Sequence, residues 1–389
     1  MHTNKANQCN QIRDDLFPYV YALYTTGFKG GAVAVIDPAQ DRIINRLQIG
    51  LNPTAMCIDP SGKKLYVTDE SMKRVFIYNT DDFVAFASIR VGTSSSPEPI
   101  AVFVEPSGRK AYIANYGDRN VTIIDAVNFR FIANVDMDAV DENNLGQPFA
   151  FASSKDGASV YVACKRDNAR DYVVVLDVND DGVFPLDPEE VYPEPVFDKR
   201  YNPLAVHPNG HTLVSLANVG VLDYVALNKI AYKSTSLLDN TVSGVYLDNQ
   251  LLFCTMREGR NFLKVFKNLA IDANGNITYQ NFKEVPSYKG QELIRTSRTQ
   301  KYIGVTVHPT DYPTGGLQII DVDSLSSKLV ELYIVGDMTI FSDSKAYVGE
   351  INAVRPIDLA TATALPAIDI GGNDIIVKKI ISGYSNQSS

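Results

Sequence analysis

Ile58-Asp59-Pro60-Ser61-Gly62-Lys63-Lys64-Leu65-Tyr66-Val67-Thr68-Asp69 returns, altered but aligned, as Val104-Glu105-Pro106-Ser107-Gly108-Arg109-Lys110-Ala111-Tyr112-Ile113-Ala114-Asn115. The phrase comes back as Ser154-Lys155-Asp156-Gly157 leading to Tyr161-Val162-Ala163-Cys164. A more worn copy is Val206-His207-Pro208-Asn209-Gly210 leading to Leu213-Val214-Ser215. The turn glycines Gly62, Gly108, Gly157 and Gly210 stand 46, 49 and 53 residues apart. A fixed period of that length marks a repeat architecture, in which one supersecondary unit is copied along the chain.

Each unit parses into four strands by alternation and turn chemistry. In the second, an apolar strand from Pro53 to Ile58 meets the Asp-Pro-Ser-Gly turn, and strands follow at Lys64 to Thr68, Val75 to Tyr78 and Val84 to Val91. Proline presets φ in that turn and glycine takes the positive φ that closes it. The first two strands are nearly apolar throughout, as buried strands are, and the fourth is more polar, as an edge is. Such a unit buries both faces only by stacking on its neighbours, and closing the stack into a ring leaves only short edges. The expected fold is therefore an all-β propeller.

Counting the units gives eight four-stranded blades, near 17–50, 51–92, 93–143, 144–198, 199–238, 239–288, 289–336 and 337–372. Seven is the alternative, if the degenerate sixth and seventh repeats are divided differently. The first unit has only three strands, while Asp374–Ile381 has no unit of its own. The C-terminal strand is expected to close the ring inside the N-terminal blade. The division is a polar tail at 1–16, one propeller domain at 17–384 and a short tail at 385–389.

The chain has 389 residues, 45% hydrophobic and 21% charged, with a net charge of -9. That balance excludes the basic stripe of a nucleic-acid binder. Neither a spanning run of ~20 apolar residues nor a leader-like apolar stretch is present, so the chain reads as cytoplasmic as written, or extracellular if a leader was removed. Cys9, Cys57, Cys164 and Cys254 form no Cys-x-x-Cys pair, and the last three sit in apolar strand patterns. They read as buried thiols rather than zinc ligands.

Tyr66-Val67-Thr68-Asp69, Tyr112-Ile113-Ala114-Asn115 and Tyr347-Val348-Gly349-Glu350 resemble the YVTN repeat. So do the Ile36-Asp37, Ile124-Asp125 and Ile320-Asp321 pairs at third-strand ends. The resemblance is close over roughly 20–180 and looser beyond. It implies a propeller of the kind found in surface-layer proteins, YncE-like proteins and relatives of lactonase propellers, where seven blades are usual. The absence of tryptophan, and so of Trp-Asp pairs, argues against a WD40 array.

In a blade, loops joining strands two and three share one face with the loops between blades. Those loops carry Glu98, Tyr116, Arg166, Arg257, Glu292, His308 and Glu350, which form the candidate ligand set at the channel mouth. His207 occupies the turn position of Asp59 and Glu105, whereas His308 ends a second strand on the ligand face. Asp177, Asn179 and Asp181 alternate as calcium ligands do before Gly182, but the twelfth position is Pro188 rather than glutamate. The prolines and acids of Val183–Phe197 suit an extended surface loop. No phosphate loop, dinucleotide fingerprint, nucleophile elbow or His-Glu-x-x-His motif occurs.

The expected function is a non-catalytic binding or scaffold propeller, taking a small polar ligand or a protein partner at the channel mouth. One alternative is a lactonase- or lyase-type enzyme with calcium or another divalent metal at the central channel. Another is an extracellular surface-layer or adhesion module.

Overall fold

The repeat turn works through its first side chain. Asp59 Oδ1 accepts the backbone N–H of Lys63 and of Lys64, both at 2.9 Å, while Gly62 takes φ +73°. Glu105 and His207 do the same work in later copies, Glu105 Oε1 accepting from Arg109 at 2.7 Å and His207 Nδ1 from Asn209 at 3.0 Å. An acceptor that gathers turn N–H groups explains why Asp, Glu and His interchange here.

The computed structural model describes residues 17–26, 30–137, 146–166, 171–178, 183–186, 197, 199–210, 212–216, 221–226, 229–233, 235–256, 260–272, 274, 276–308, 315–332, 336–372 and 375–385, with backbone alone at 183–186, 221–226 and 229–233. Within them lie seven four-stranded antiparallel sheets, one five-stranded sheet and a two-stranded ribbon, Ala270–Ile271 with Ile277–Thr278. Eight four-stranded units were expected. The last of them departs from that scheme, because Ala353–Asp358 pairs with both Thr363–Ala364 and Ile368–Asp369. Pro366 stands between those two short strands and has no N–H for a ladder, which divides the outer position in two. The expected loop at Val183–Phe197 is also corrected in part. Val183–Leu186 is the fourth strand of its sheet, and 187–196 lie outside the described residues.

The first sheet runs Arg42–Gln48, Gly31–Asp37, Val20–Thr25 and Ile376–Ile381, so the C-terminal strand takes the inner place left by the N-terminal unit. Contacts between inner strands then lead around the molecule from Ile376–Ile381 through Pro53–Ile58, Pro99–Val104, Gln147–Ser153, Leu204–Val206, Thr241–Tyr246, Gln291–Thr296 and Met338–Ile340, and back to Ile376–Ile381. The ring is closed.

The core lies between neighbouring sheets. Tyr66, Tyr112, Tyr161 and Tyr347, the tyrosines of the repeat, are each buried against the following sheet. For Tyr347 that sheet is the first one, where its hydroxyl donates to Asp41 Oδ1 at 2.6 Å and Lys345 joins the same carboxylate at 2.9 Å. On the face opposite the mouth, Arg298 donates to the carbonyls of Phe17 and Ser382, both at 3.0 Å, and Tyr384 reaches the Val104 carbonyl at 3.2 Å. The tail is thereby tied to the seventh and third sheets.

Candidate functional site: an axial pocket

The inner strands share a defect at the mouth end. Register shifts between Pro53 and Ala55, Pro99 and Ala101, Pro148 and Ala150, and Thr241 and Ser243 leave Thr54, Ile100, Phe149 and Val242 out of the ladder. In the seventh sheet the shift between Gln291 and Ile294 frees Glu292 and Leu293. In the first sheet Leu23 pairs with Lys379 and Tyr24 with Val377, which frees Lys378. A bulge re-aims a side chain and defeats the alternation of a strand. Adjacent Lys378 and Lys379 therefore both reach one cavity.

That cavity has a volume of about 250 Å³ and is lined by Arg200, Tyr201, Glu292, Leu293, His308, Gly336, Asp337, Lys378 and Lys379. Arg200 and Tyr201 precede the fifth sheet, Glu292, Leu293 and His308 belong to the seventh, Gly336 and Asp337 precede the eighth, and Lys378 and Lys379 stand in the first, so stretches from around the ring meet at one cavity. The backbone beside it is close-packed. Gly290 takes φ +79°, and a Cβ there would fall 1.7 Å from the His308 carbonyl oxygen. His308 N–H donates to the Gly290 carbonyl at 2.7 Å, so glycine is required to hold the histidine at the mouth.

Glu292 lies 3.3 Å from His308 Nε2 and 4.0 Å from Arg200. Asp337 is buried, its Oδ2 accepting Ile380 N–H at 2.9 Å, and Arg295 Nη2 lies 3.7 Å from its Oδ1. Lys378 donates to Asn52 Oδ1 at 2.7 Å and to the Pro53 carbonyl at 3.0 Å. Burial holds both lysines below the ordinary ammonium value; Glu70 and Asp69 partly offset this for Lys378, as Asp337 does for Lys379, while Arg295 adds to the depression of Lys379. Burial in a low-dielectric surrounding disfavours the charged form of a cation. Four lysine and arginine side chains thus stand around two carboxylates, in a chain whose net charge is -9.

Of the expected mouth residues, the structure brings Glu292 and His308 together. Glu98, Tyr116, Arg166 and Glu350 are not among the residues that line this pocket. Glu350 pairs with Arg355 of the next strand at 2.8 Å, and Arg166 lies over the Tyr172 ring at 4.6 Å. Tyr116 sits under Lys199 at 4.5 Å and donates its N–H to the Glu98 carbonyl at 3.0 Å. Arg257, Asn179 and Asp181 lie outside the described residues, and Asp177 is a buried strand end. Sequence reasoning missed Arg200, Asp337, Lys378 and Lys379. A signal was present: at the bulge position four inner strands carry Thr, Ile, Phe or Val, whereas the seventh carries Glu292 and the first Lys378.

A divalent metal at the axis does not fit this donor set. Among the described residues no group of three or more His, Cys, Asp or Glu side chains is placed to hold one. The carboxylates that line the pocket are already set against Arg200 and Arg295.

Solved structures repeat this architecture. Dihydro-heme d1 dehydrogenase NirN, determined in complex with DHE, aligns with a TM-score of 0.69 over 95% of this chain and 75% of its own, at 15% identity. AztD from Citrobacter koseri, in its apo structure, aligns at 0.60 over 95% of this chain and 99% of its own, at 15% identity. A functionally unknown protein from Desulfotomaculum acetoxidans aligns at 0.55 over 94% of this chain and 99% of its own, at 12% identity. The chain is a β-propeller. At such identities the likeness is one of fold, and folds of this kind host unrelated activities. No family model and no curated protein matches the sequence.

Proposed function

We propose that this chain is a non-catalytic binding propeller of the YVTN-repeat type, with the five-stranded sheet as its eighth blade, that holds a small anion in the axial pocket. The observation that carries this reading is the charge around the pocket. Arg200, Lys378 and Lys379 line it and Arg295 stands behind Asp337, while Glu292 and Asp337 are the carboxylates of the lining and Asp69 and Glu70 act on Lys378 from the second sheet. An anion in the pocket adds negative charge beside Lys378 and Lys379 and favours their charged forms against the cost of burial. The size suits a metabolite-scale molecule: a cavity of roughly 150 Å³ holds six ring atoms, so about 250 Å³ holds roughly ten heavy atoms.

Titration calorimetry of the full chain with succinate and with sulfate tests the proposal. Binding that weakens with salt and falls at least tenfold in both Arg200→Ala and Lys378→Met is the expected result. An absence of heat with either anion at millimolar concentration, or equal binding by both variants, overturns it. The structural neighbours support ligand binding by a propeller of this shape only by analogy, NirN being a complex with DHE.

A further inference from the structure

Large aliphatic side chains stand exposed on the mouth face beside the pocket. Ile376 is 63% exposed and Ile351 48%, and they face each other across an antiparallel bridge where the eighth sheet meets the first. Residues directly opposed in this way hold their side chains on one face, with Cβ atoms about 5 Å apart. Leu51, 59% exposed, precedes the inner strand of the second sheet, and Met72, 49% exposed, joins its second and third strands. The Asp69 carboxylate ties those loops together, accepting Asn52 N–H at 3.0 Å on one oxygen and Met72 N–H at 2.7 Å on the other.

Lys378 stands between the two pairs. It follows Ile376 by two residues, roughly 7 Å along a strand. Its Nζ donates at 2.7 Å to Asn52, the residue after Leu51, and the same side chain lines the axial pocket. The aliphatic arc therefore passes the edge of the pocket at a cation. Single apolar side chains scattered on a surface are ordinary, but a linked set beside a polar cavity marks a binding surface.

The pocket itself is poor surroundings for hydrocarbon. In its lining only Leu293 and Tyr201 offer a large apolar body, the rest being glycine or ionisable. The arc is equally poor surroundings for a second negative charge, because Glu70 stands there, accepting from the Asn52 side-chain amide at 2.7 Å. What suits pocket and arc together is one anionic head with an uncharged, apolar extension.

Building on the anion-binding proposal above, we propose that the ligand is a monocarboxylate with an alkyl chain, its head in the axial pocket and its chain along the arc of Leu51, Met72, Ile351 and Ile376. The cations set the head group and the arc sets the chain. A fully buried methylene is worth about fourfold in affinity, and one half-covered on an open surface about twofold.

Calorimetry on the full chain compares butanoate with octanoate, and octanoate with octylammonium, all below their micellar range. Octanoate is expected to bind about tenfold more tightly than butanoate, and octylammonium at least tenfold more weakly than octanoate. In the double variant Ile376→Ser with Leu51→Ser, butanoate affinity is expected to stay within about twofold, while the octanoate advantage falls to about threefold or less. Ile351→Ser with Met72→Ser is the second variant, with the same expected loss, should the first fold poorly. Octanoate binding no tighter than butanoate, the result if the arc instead receives another protein, overturns the alkyl assignment and leaves anion binding standing. An octanoate preference that survives both double variants overturns the arc as its seat. Octylammonium binding as tightly as octanoate overturns the coupling of an anionic head to the chain. Failure of butanoate, octanoate, succinate and sulfate alike to bind overturns both proposals together.

Discussion

Lys378 Nζ donates to the side-chain oxygen of Asn52 at 2.7 Å, fastening the last strand of the chain to the sheet that follows it in the ring. The same ammonium lines the axial pocket, so one side chain serves closure and charge together. Replacing it with methionine keeps the aliphatic stem and removes both roles. Lys378→Met is expected to weaken anion binding about tenfold, or about 1.4 kcal/mol, with only a small fall in Tm. Calorimetry and a melting curve on the same sample separate the two effects.

Truncation after Gly372 tests closure directly. It removes Ile376–Ile381 and the Ser382 carbonyl that Arg298 holds, leaving Val20–Thr25 as an unpaired apolar inner edge. An exposed edge of that kind templates association. Aggregation, or a large drop in Tm, is expected by size-exclusion chromatography and calorimetry. A monomeric truncated chain with unchanged melting contradicts the ring.

The thiols report on the strands that hold them. Cys164 and Cys254 are fully buried, Cys57 is largely buried, and burial pushes all three thiols well above their ordinary range. A protonated thiol is a poor nucleophile. Aromatic disulfide labelling at pH 8 is expected to be slow at all three in the native protein, with Cys57 fastest, and rapid after denaturation. Immediate native labelling of Cys164 or Cys254 contradicts their placement.

His207 makes stability depend on mild acid. Its Nδ1 accepts Asn209 N–H, which leaves Nε2–H to face Asn268 Oδ1 at 3.1 Å. Only the neutral ring does this, and burial holds its pKa below 6.5, with the two asparagine contacts opposing. The unfolded chain therefore binds the proton first as pH falls, and stability drops from about pH 6.5 down to the folded-state pKa. His207→Asn keeps a turn acceptor and removes the titration. The stability of the unaltered protein minus that of the variant, from urea melts, is expected to shrink between pH 7.5 and pH 5.

Glu350→Gln distinguishes the pocket from the rim. Glu350 Oε2 binds Arg355 at 2.8 Å in a partly buried pair. The variant is expected to lose about 1–2 kcal/mol of stability, because a hydrogen-bonded charge loses its partner. Succinate binding is expected to stay unchanged, and a tenfold loss of it would place Glu350 in the site.

The ring was legible because its determinants are local and repeated. Asp59, Glu105 and His207 each announce a hairpin turn, and Asp374–Ile381 was visible as a strand without a unit. The pocket was only half legible. Glu292 and His308 could be placed from loop position, but Lys378 and Lys379 read as opposite faces of one strand until the bulge opposite Leu23 and Tyr24 joins them. Arg200 and Asp337 lie far apart in sequence and meet only because the ring brings their sheets around one axis. The ion pair of Glu350 with Arg355 on the adjoining strand is likewise something that a loop position does not reveal.

Val20–Thr25 and Ile376–Ile381 run antiparallel, with Tyr21 opposite Ile381, so the chain leaves the ring at both ends of the sequence from the same corner of one sheet. A pulling force applied to the termini loads that ladder from its end, one hydrogen bond after another, and unzips it instead of shearing all its bonds together. Tyr384 on the Val104 carbonyl, Thr339 on the Ser382 hydroxyl and Arg298 on the Phe17 and Ser382 carbonyls stand where the tension first arrives. These few side chains guard the seam, and the remaining sheets bear load only after it has opened.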